Sequence, residues 1–240
     1  MSDTVDILAF GAHPDDVELG CGGTVLSHIS KGKKVGIVDL TFGDLGTRGT
    51  VEIRKQEAAV AAKIMRVSAR INLGFADGFF LNDRDHQLEV IKVLREYKPK
   101  IVLANAIRDR HPDHGRAASL VNDSVFLAGL HEIATNLKGE KQEAYRPPAL
   151  YHYIQYHQVQ PDITVDISRH FEKKMEAVLA HKSQFYNPDS KEPATVISNP
   201  GFLEAVKARA IEAGMQINVQ YGEGFTAARN IGTSSLLDLI

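Results

Sequence analysis

The sequence predicts an open α/β domain, a mainly parallel sheet with a C-terminal extension packed onto it. Two observations carry this. Apolar runs alternate with segments of helical period through the first half, the order of βα units in a parallel sheet. The runs are also continuously apolar, as in strands buried on both faces. No internal repeat or linker divides the chain, so residues 1–240 read as one domain. At 240 residues, 43% hydrophobic, it is long enough to bury a sizeable core.

Strands are expected at "VDILAF" (5–10), "KVGIVDLT" (34–41), "ARINLG" (69–74) and "KIVLAN" (100–105). Between them, "VELGCGGTVLSHISKG" ends at Gly32, "TVEIRKQEAAVAAKIM" repeats apolar residues every three or four positions, and "DHQLEVIKVLREYKP" stops at Pro99; each reads as a crossover helix. A further helix is expected over "DHGRAASLVNDSVFLAG", then a surface loop at "NLKGEKQEAYRPP". "ALYHYIQY" and "DITVDIS" suggest strands, with His152 and His157 as strand-face residues, and "RHFEKKMEAVLAHKSQF" and "GFLEAVKARAIEAG" suggest helices.

Twenty-eight basic residues nearly balance 30 acidic ones, with no basic block, which argues against nucleic acid or an anionic membrane as partner and for a small substrate. The N-terminal segment lacks a basic, apolar leader, and no apolar run approaches the roughly 20 residues of a membrane helix, so a cytoplasmic protein is expected. The single cysteine, Cys21, suits a reducing compartment and reads as a packing residue. Apolar residues in "ALYHYIQYHQV" and the C-terminal "NIGTSSLLDLI" are available for a subunit interface.

In open parallel sheets, ligands collect beyond the carboxyl ends of the strands. Two such places carry the tripeptide His-Pro-Asp: "AHPDD" after the first strand and "RHPDHG" after the fourth. An N-cap explains one carboxylate at a helix start. It leaves unexplained a second carboxylate together with His13, His111, Asp113 and His114. Imidazole and carboxylate suit zinc, and a catalytic zinc uses three protein ligands with one open position. His13, Asp16 and His114 can supply them, leaving Asp15 as a general base. His111 and Asp113 read as a pair in which the carboxylate orients the imidazole and favours its protonated, oxyanion-stabilising form. The glycines of "GCGGT" do not match a phosphate-binding fingerprint and read as close helix packing. The glycine-rich "TFGDLGTRGTVEIRKQEA" suggests a mobile loop that brings Arg48 and Arg54 within reach of a substrate.

Through "AHPDD", "TRG...EIRKQEA", "RHPDHG", "AHKSQF" and "YGEGF", the sequence resembles the LmbE-like, or PIG-L, zinc-dependent N-deacetylases over nearly its whole length. The resemblance implies a Rossmann-like fold with helices on both faces of the sheet, one Zn2+ (or another divalent transition metal) per subunit, and removal of acetyl from an N-acetylglucosaminyl conjugate. It implies zinc ligation by His13, Asp16 and His114, with Asp15 as base and His111, supported by Asp113, as acid. The "TRGT.EIR.QEA", "DRHPDHG" and "YGEGF" segments look most like the bacillithiol-pathway enzymes that deacetylate N-acetylglucosaminyl malate. That subgroup implies Arg54 as a sugar contact and Arg110 as a contact for the malate carboxylates, and the family resemblance implies a homo-oligomer. One departure stands out: mycothiol-pathway members carry a tyrosine where this chain has Asp109, which leaves the acid role to His111.

The same resemblance allows another N-acetylglucosaminide, such as chitobiose or an inositol conjugate. A metal-dependent phosphoesterase would use two metals and more carboxylates. A non-catalytic sugar-binding module would close its ion with four protein ligands.

Overall fold

In chain order the elements are β1 (Ile7–Gly11), α1 (Asp16–Ser30), β2 (Val35–Thr41), α2 (Val51–Met65), β3 (Ala69–Phe75), α3 (Arg84–Tyr97), β4 (Ile101–Ala104) and α4 (Pro112–Leu127). There follow β5 (Asn136–Leu137), β6 (Glu140–Lys141), β7 (Ala149–Tyr153), β8 (Ile163–Asp166), α5 (Phe171–Leu179), α6 (Phe202–Met215) and β9 (Gly222–Ala227). The computed structural model describes residues 4–238; the remaining residues, including the last two of the expected C-terminal interface segment, lie outside the described residues.

Seven strands form one sheet in the order β3-β2-β1-β4-β7-β9-β8. β1 pairs in parallel with both β2 and β4, and β9 alone runs antiparallel to its two neighbours. Alternate residues of β1 face opposite layers, as the two-residue strand period requires. Leu8 and Phe10 pack with Val90, Leu94, Leu120 and Val121 of α3 and α4, whereas Ile7 and Ala9 pack with Val17, Val25, Met65 and Ala177 of α1, α2 and α5. The chain crosses on one face to build β2 and β3, then on the other to reach β4, so the loops after β1 and β4 open side by side at the switch point. No helix among the described residues is long and apolar enough to cross a membrane.

The glycines of α1 serve packing. A Cβ at Gly20 would lie 2.2 Å from the Tyr153 ring, and one at Gly23 would lie 2.8 Å from Ile167. Helix α1 is also broken at Cys21 (φ −145°, ψ 19°), and the carboxylate of Glu223 on β9 accepts hydrogen bonds from Gly23 N and Thr24 N, capping the restarted helix. The buried Lys174 ammonium pairs with Glu223 at 2.6 Å. "YGEGF" is therefore a structural clamp on the helix that carries Asp16. Glu223→Ala strands Lys174 without its counter-charge and is expected to destabilise the protein by about 3–5 kcal/mol in urea unfolding; a loss below about 1 kcal/mol would contradict this role.

Four expectations differ. The helix expected over 169–185 ends at Leu179, because the groups after it bond elsewhere: Ser183 donates to Glu57 and Gln184 to Arg48 O. β7 ends at Tyr153 rather than continuing to 156, since Tyr156 N and His157 N turn to Asp109; His157 lies on an exposed loop, whereas His152 is a buried strand residue. The loop after α4 holds a small hairpin, β5–β6, turned at Lys138 (φ 52°) and Gly139 (φ 85°). β9 was not legible as a strand, its two glycines masking the pattern.

Candidate active site

The two His-Pro-Asp loops meet at the carboxyl ends of β1 and β4, in a cavity of about 480 Å³ lined by His13, Asp15, Asp16, His111 and His114. The first loop is not a simple helix cap. Asp15 occupies the N-cap position of α1, yet its side chain makes no capping bond, and Thr50 and Asp83 show what such caps look like elsewhere in this chain.

Asp16 Oδ2 accepts from His13 N and Asn105 Nδ2, and Oδ1 accepts from Gln155 Nε2. Asp16 Oδ1 lies 3.1 Å from His114 Nε2, and His13 Nδ1 lies 3.6 Å from Asp16 Oδ2. Two ligand atoms on one tetrahedral zinc stand about 3.3 Å apart, so Asp16 Oδ1 and His114 Nε2 fit a shared ion, with His13 facing the other oxygen of Asp16. The far side of each imidazole is held by carboxylate. His114 Nδ1 lies 2.6 Å from Asp109 Oδ2, and His13 Nε2 lies 3.0 Å from Asp77 Oδ1 and 3.3 Å from Asp113 Oδ2. Such partners fix ring orientation and raise ligand basicity. Burial alone would lower the His114 pKa, but Asp16 and Asp109 outweigh it and raise it to about 9. Similarly, burial pushes the Asp16 carboxyl up, and the His114 and His13 imidazoles outweigh this and hold it well below the usual range. Two other donor groups lie within 4.8 Å of one another: the nitrogens of His13, His111 and His114, and a His13 nitrogen with the carboxylates of Asp77 and Asp113.

Asp15 is 5% exposed, and its carboxylate accepts no hydrogen bond among the described residues. Burial raises its pKa to about 6, against the opposing charge of Arg54. Its backbone sits at φ 124°, strained for a side-chain-bearing residue, and such strain of order 1–3 kcal/mol concentrates at functional sites.

Two expectations about the second loop change. Asp113 does not orient His111 with its carboxylate, which accepts instead from Gly78 N and Arg116 and faces His13; its backbone N–H donates to His111 Nδ1 at 3.3 Å. His111 is also not favoured as an imidazolium. Burial lowers its pKa, and the neighbouring His13 and His114 lower it further. With Nδ1 accepting, a neutral His111 carries its proton on Nε2.

Arg54 is buried, donates to Gly43 O and Pro14 O, and stands 3.8 Å from Asp15 Oδ2. Arg48 is turned away from the cavity: it is buried on Ser183 O, Pro193 O and Ser190 Oγ, tying its loop to the segment after α5. Arg110 is exposed at the cavity rim.

Sequence reasoning missed Asp77, Asn105 and Gln155, and noted Asp109 only as a departure from tyrosine. Asp77 and Asn105 follow β3 and β4 at the carboxyl edge of the sheet, the position that singled out the two motifs, and that was the available signal. Asp77 also accepts from Leu45 N, so it joins the His13 ring to the loop after β2. Asp77→Ala is expected to weaken zinc affinity about 10–100-fold in competition with a chromophoric chelator; unchanged affinity would mean that Asp113 alone orients His13.

Residues 8–125 match the PIG-L family profile, described as GlcNAc-PI de-N-acetylase. The diacetylchitobiose deacetylase of Thermococcus kodakarensis is 31% identical over 194 residues, 77% of this chain and 72% of that protein. A probable N-acetyl-alpha-D-glucosaminyl L-malate deacetylase 2 of Bacillus anthracis is 25% identical over 198 residues, 75% of this chain and 81% of that protein. The crystal structure of a conserved protein from Thermus thermophilus is similar with a TM-score of 0.85 at 35% identity, covering 96% of this chain and 97% of that one.

Proposed function

The chain belongs to the PIG-L family of de-N-acetylases and is an amide hydrolase of N-acetylglucosamine-containing substrates; within that class we propose that it is a zinc enzyme that deacetylates N-acetylglucosaminyl malate. The observation that carries the zinc reading is the convergence of Asp16 and His114 from two separate loops, with an unbonded Asp15 beside them. For malate, support comes from the similarity to the B. anthracis protein and from the guanidinium of Arg110 at the cavity rim.

His13, Asp16 and His114 would hold the ion. A zinc ion held there would supply Lewis acidity for the acetamide carbonyl and for a water. Asp15 takes a proton from that water: its raised pKa brings its basicity toward neutrality, where a general base is most effective. His111 donates Nε2–H to the oxyanion as it develops. Arg54, fixed on the Gly43 and Pro14 carbonyls, favours the ionised form of Asp15 and lines the cavity, where it is available to a sugar hydroxyl. When the C–N bond breaks, Asp15 returns its proton to the leaving amine.

Acetate release by the zinc-loaded protein from a panel of N-acetylglucosaminides tests the substrate. The malate conjugate is expected to show the highest kcat/KM, and a clear preference for di-N-acetylchitobiose or an inositol conjugate would replace it.

A further inference from the structure

A half-buried cation at the cavity has no hydrogen-bonded or ion-paired partner among the described residues, the Asp109 carboxylate acting on it only from a distance. Arg209 of α6 lines the catalytic cavity and also the adjoining cavity of about 290 Å³. Its guanidinium makes no hydrogen bond or ion pair among the described residues, and it stands over the ring of Tyr156, 5.8 Å from the centroid. Arg110 is likewise without an ion pair among the described residues and stands 5.4 Å from the same centroid. Two guanidiniums thus gather around one phenol ring.

The nearby acids are otherwise engaged. Asp109 accepts from Tyr156 N and His157 N through Oδ1 and faces His114 through Oδ2, and Glu212 is taken by Gln158. A cation–π contact recovers only about 0.5–2 kcal/mol, less than the penalty of withdrawing an unpaired charge from water. An arginine left in this condition on α6, lining the cavity beside Arg110 of the second motif, is poised for an anion that arrives with the substrate.

We propose that Arg209, together with Arg110 around Tyr156, forms an anion-binding subsite that selects N-acetylglucosaminyl conjugates bearing a carboxylate aglycone over neutral ones. The subsite deepens the function proposed above and rests on it. Planar guanidiniums match carboxylates in bidentate geometry, and two of them suit a dicarboxylate. Asp109 ties this subsite to the metal site: one of its oxygens holds the Tyr156 loop and the other holds His114. Burial, which lowers the Arg209 pKa, also strengthens any charge-assisted bond it makes.

The test compares kcat/KM for N-acetylglucosaminyl malate and di-N-acetylchitobiose in the zinc-loaded wild type, Arg209→Gln and Arg209→Lys. The ratio between the two substrates is expected to fall about 10–100-fold in Arg209→Gln, the loss of one hydrogen-bonded charge contact, with partial recovery in Arg209→Lys. An unchanged ratio, whatever the absolute rates, overturns the subsite. Calorimetric binding of L-malate alone reads the subsite independently of turnover: loss of binding in Arg209→Gln supports it, and equal binding in wild type and variant overturns it. Acetate release from no substrate would instead overturn the deacetylase reading.

Discussion

Asp15→Asn is expected to keep one zinc per chain and to lose turnover by about 10²–10⁴-fold, the usual contribution of a positioned general base. The substitution is chosen for the backbone as much as for the charge. Asparagine is among the few residues that tolerate positive φ, and Asp15 sits at φ 124° with no hydrogen bond that the amide would disturb. It cannot accept the proton. Metal content and fold should therefore survive while acetate release does not. Turnover within a few-fold of wild type would remove Asp15 from the reaction and leave its buried, strained carboxylate without a purpose.

His114→Ala is expected to lose zinc and with it all acetate release above background. The variant removes a nitrogen that stands 3.1 Å from Asp16 Oδ1, and leaves Asp16 and Asp109 facing each other without the imidazole between them. Zinc content by elemental analysis equal to that of wild type would sink the ligand set. The His13, His111 and His114 trio makes the comparison sharper. His111→Ala should retain zinc and lose turnover, whereas Asp16→Ala should lose zinc. The reverse pattern would make His111 the third ligand.

The parallel half of the sheet was legible because each strand is a continuous apolar run and the crossover helices show either a stop signal, at Gly32 and Pro99, or a clear helical period; the first four strands fall close to expectation, the largest shift being at the start of β1. Repetition of His-Pro-Asp after two strands was enough to bring His13, Asp16, His111 and His114 to one cavity. What the sequence did not show was which polar atom meets which. Asp113 pairs with His13 of the neighbouring motif loop, far away along the chain, because its carboxylate is steered by Gly78 N and Arg116. Asp77 and Gln155 are single polar residues after strands, without the repetition that made the motifs visible. Arg70 was equally hidden: from within β3 it pairs Glu18 with Asp39 in the buried layer beneath α1, a long-range arrangement that no local pattern reports. The antiparallel strand β9 was lost to the glycines that let it cross against Ala213 and Pro161.

Hydrolysis of an acetamide by this chain is expected to require one metal ion bound by His13, Asp16 and His114. The most direct measurement is acetate released from N-acetylglucosaminyl malate by metal-stripped protein titrated with zinc. The predicted result is a rate near zero without metal that rises linearly to a break at one equivalent. Equal release by the stripped and the loaded protein, or a break at two equivalents, would contradict it.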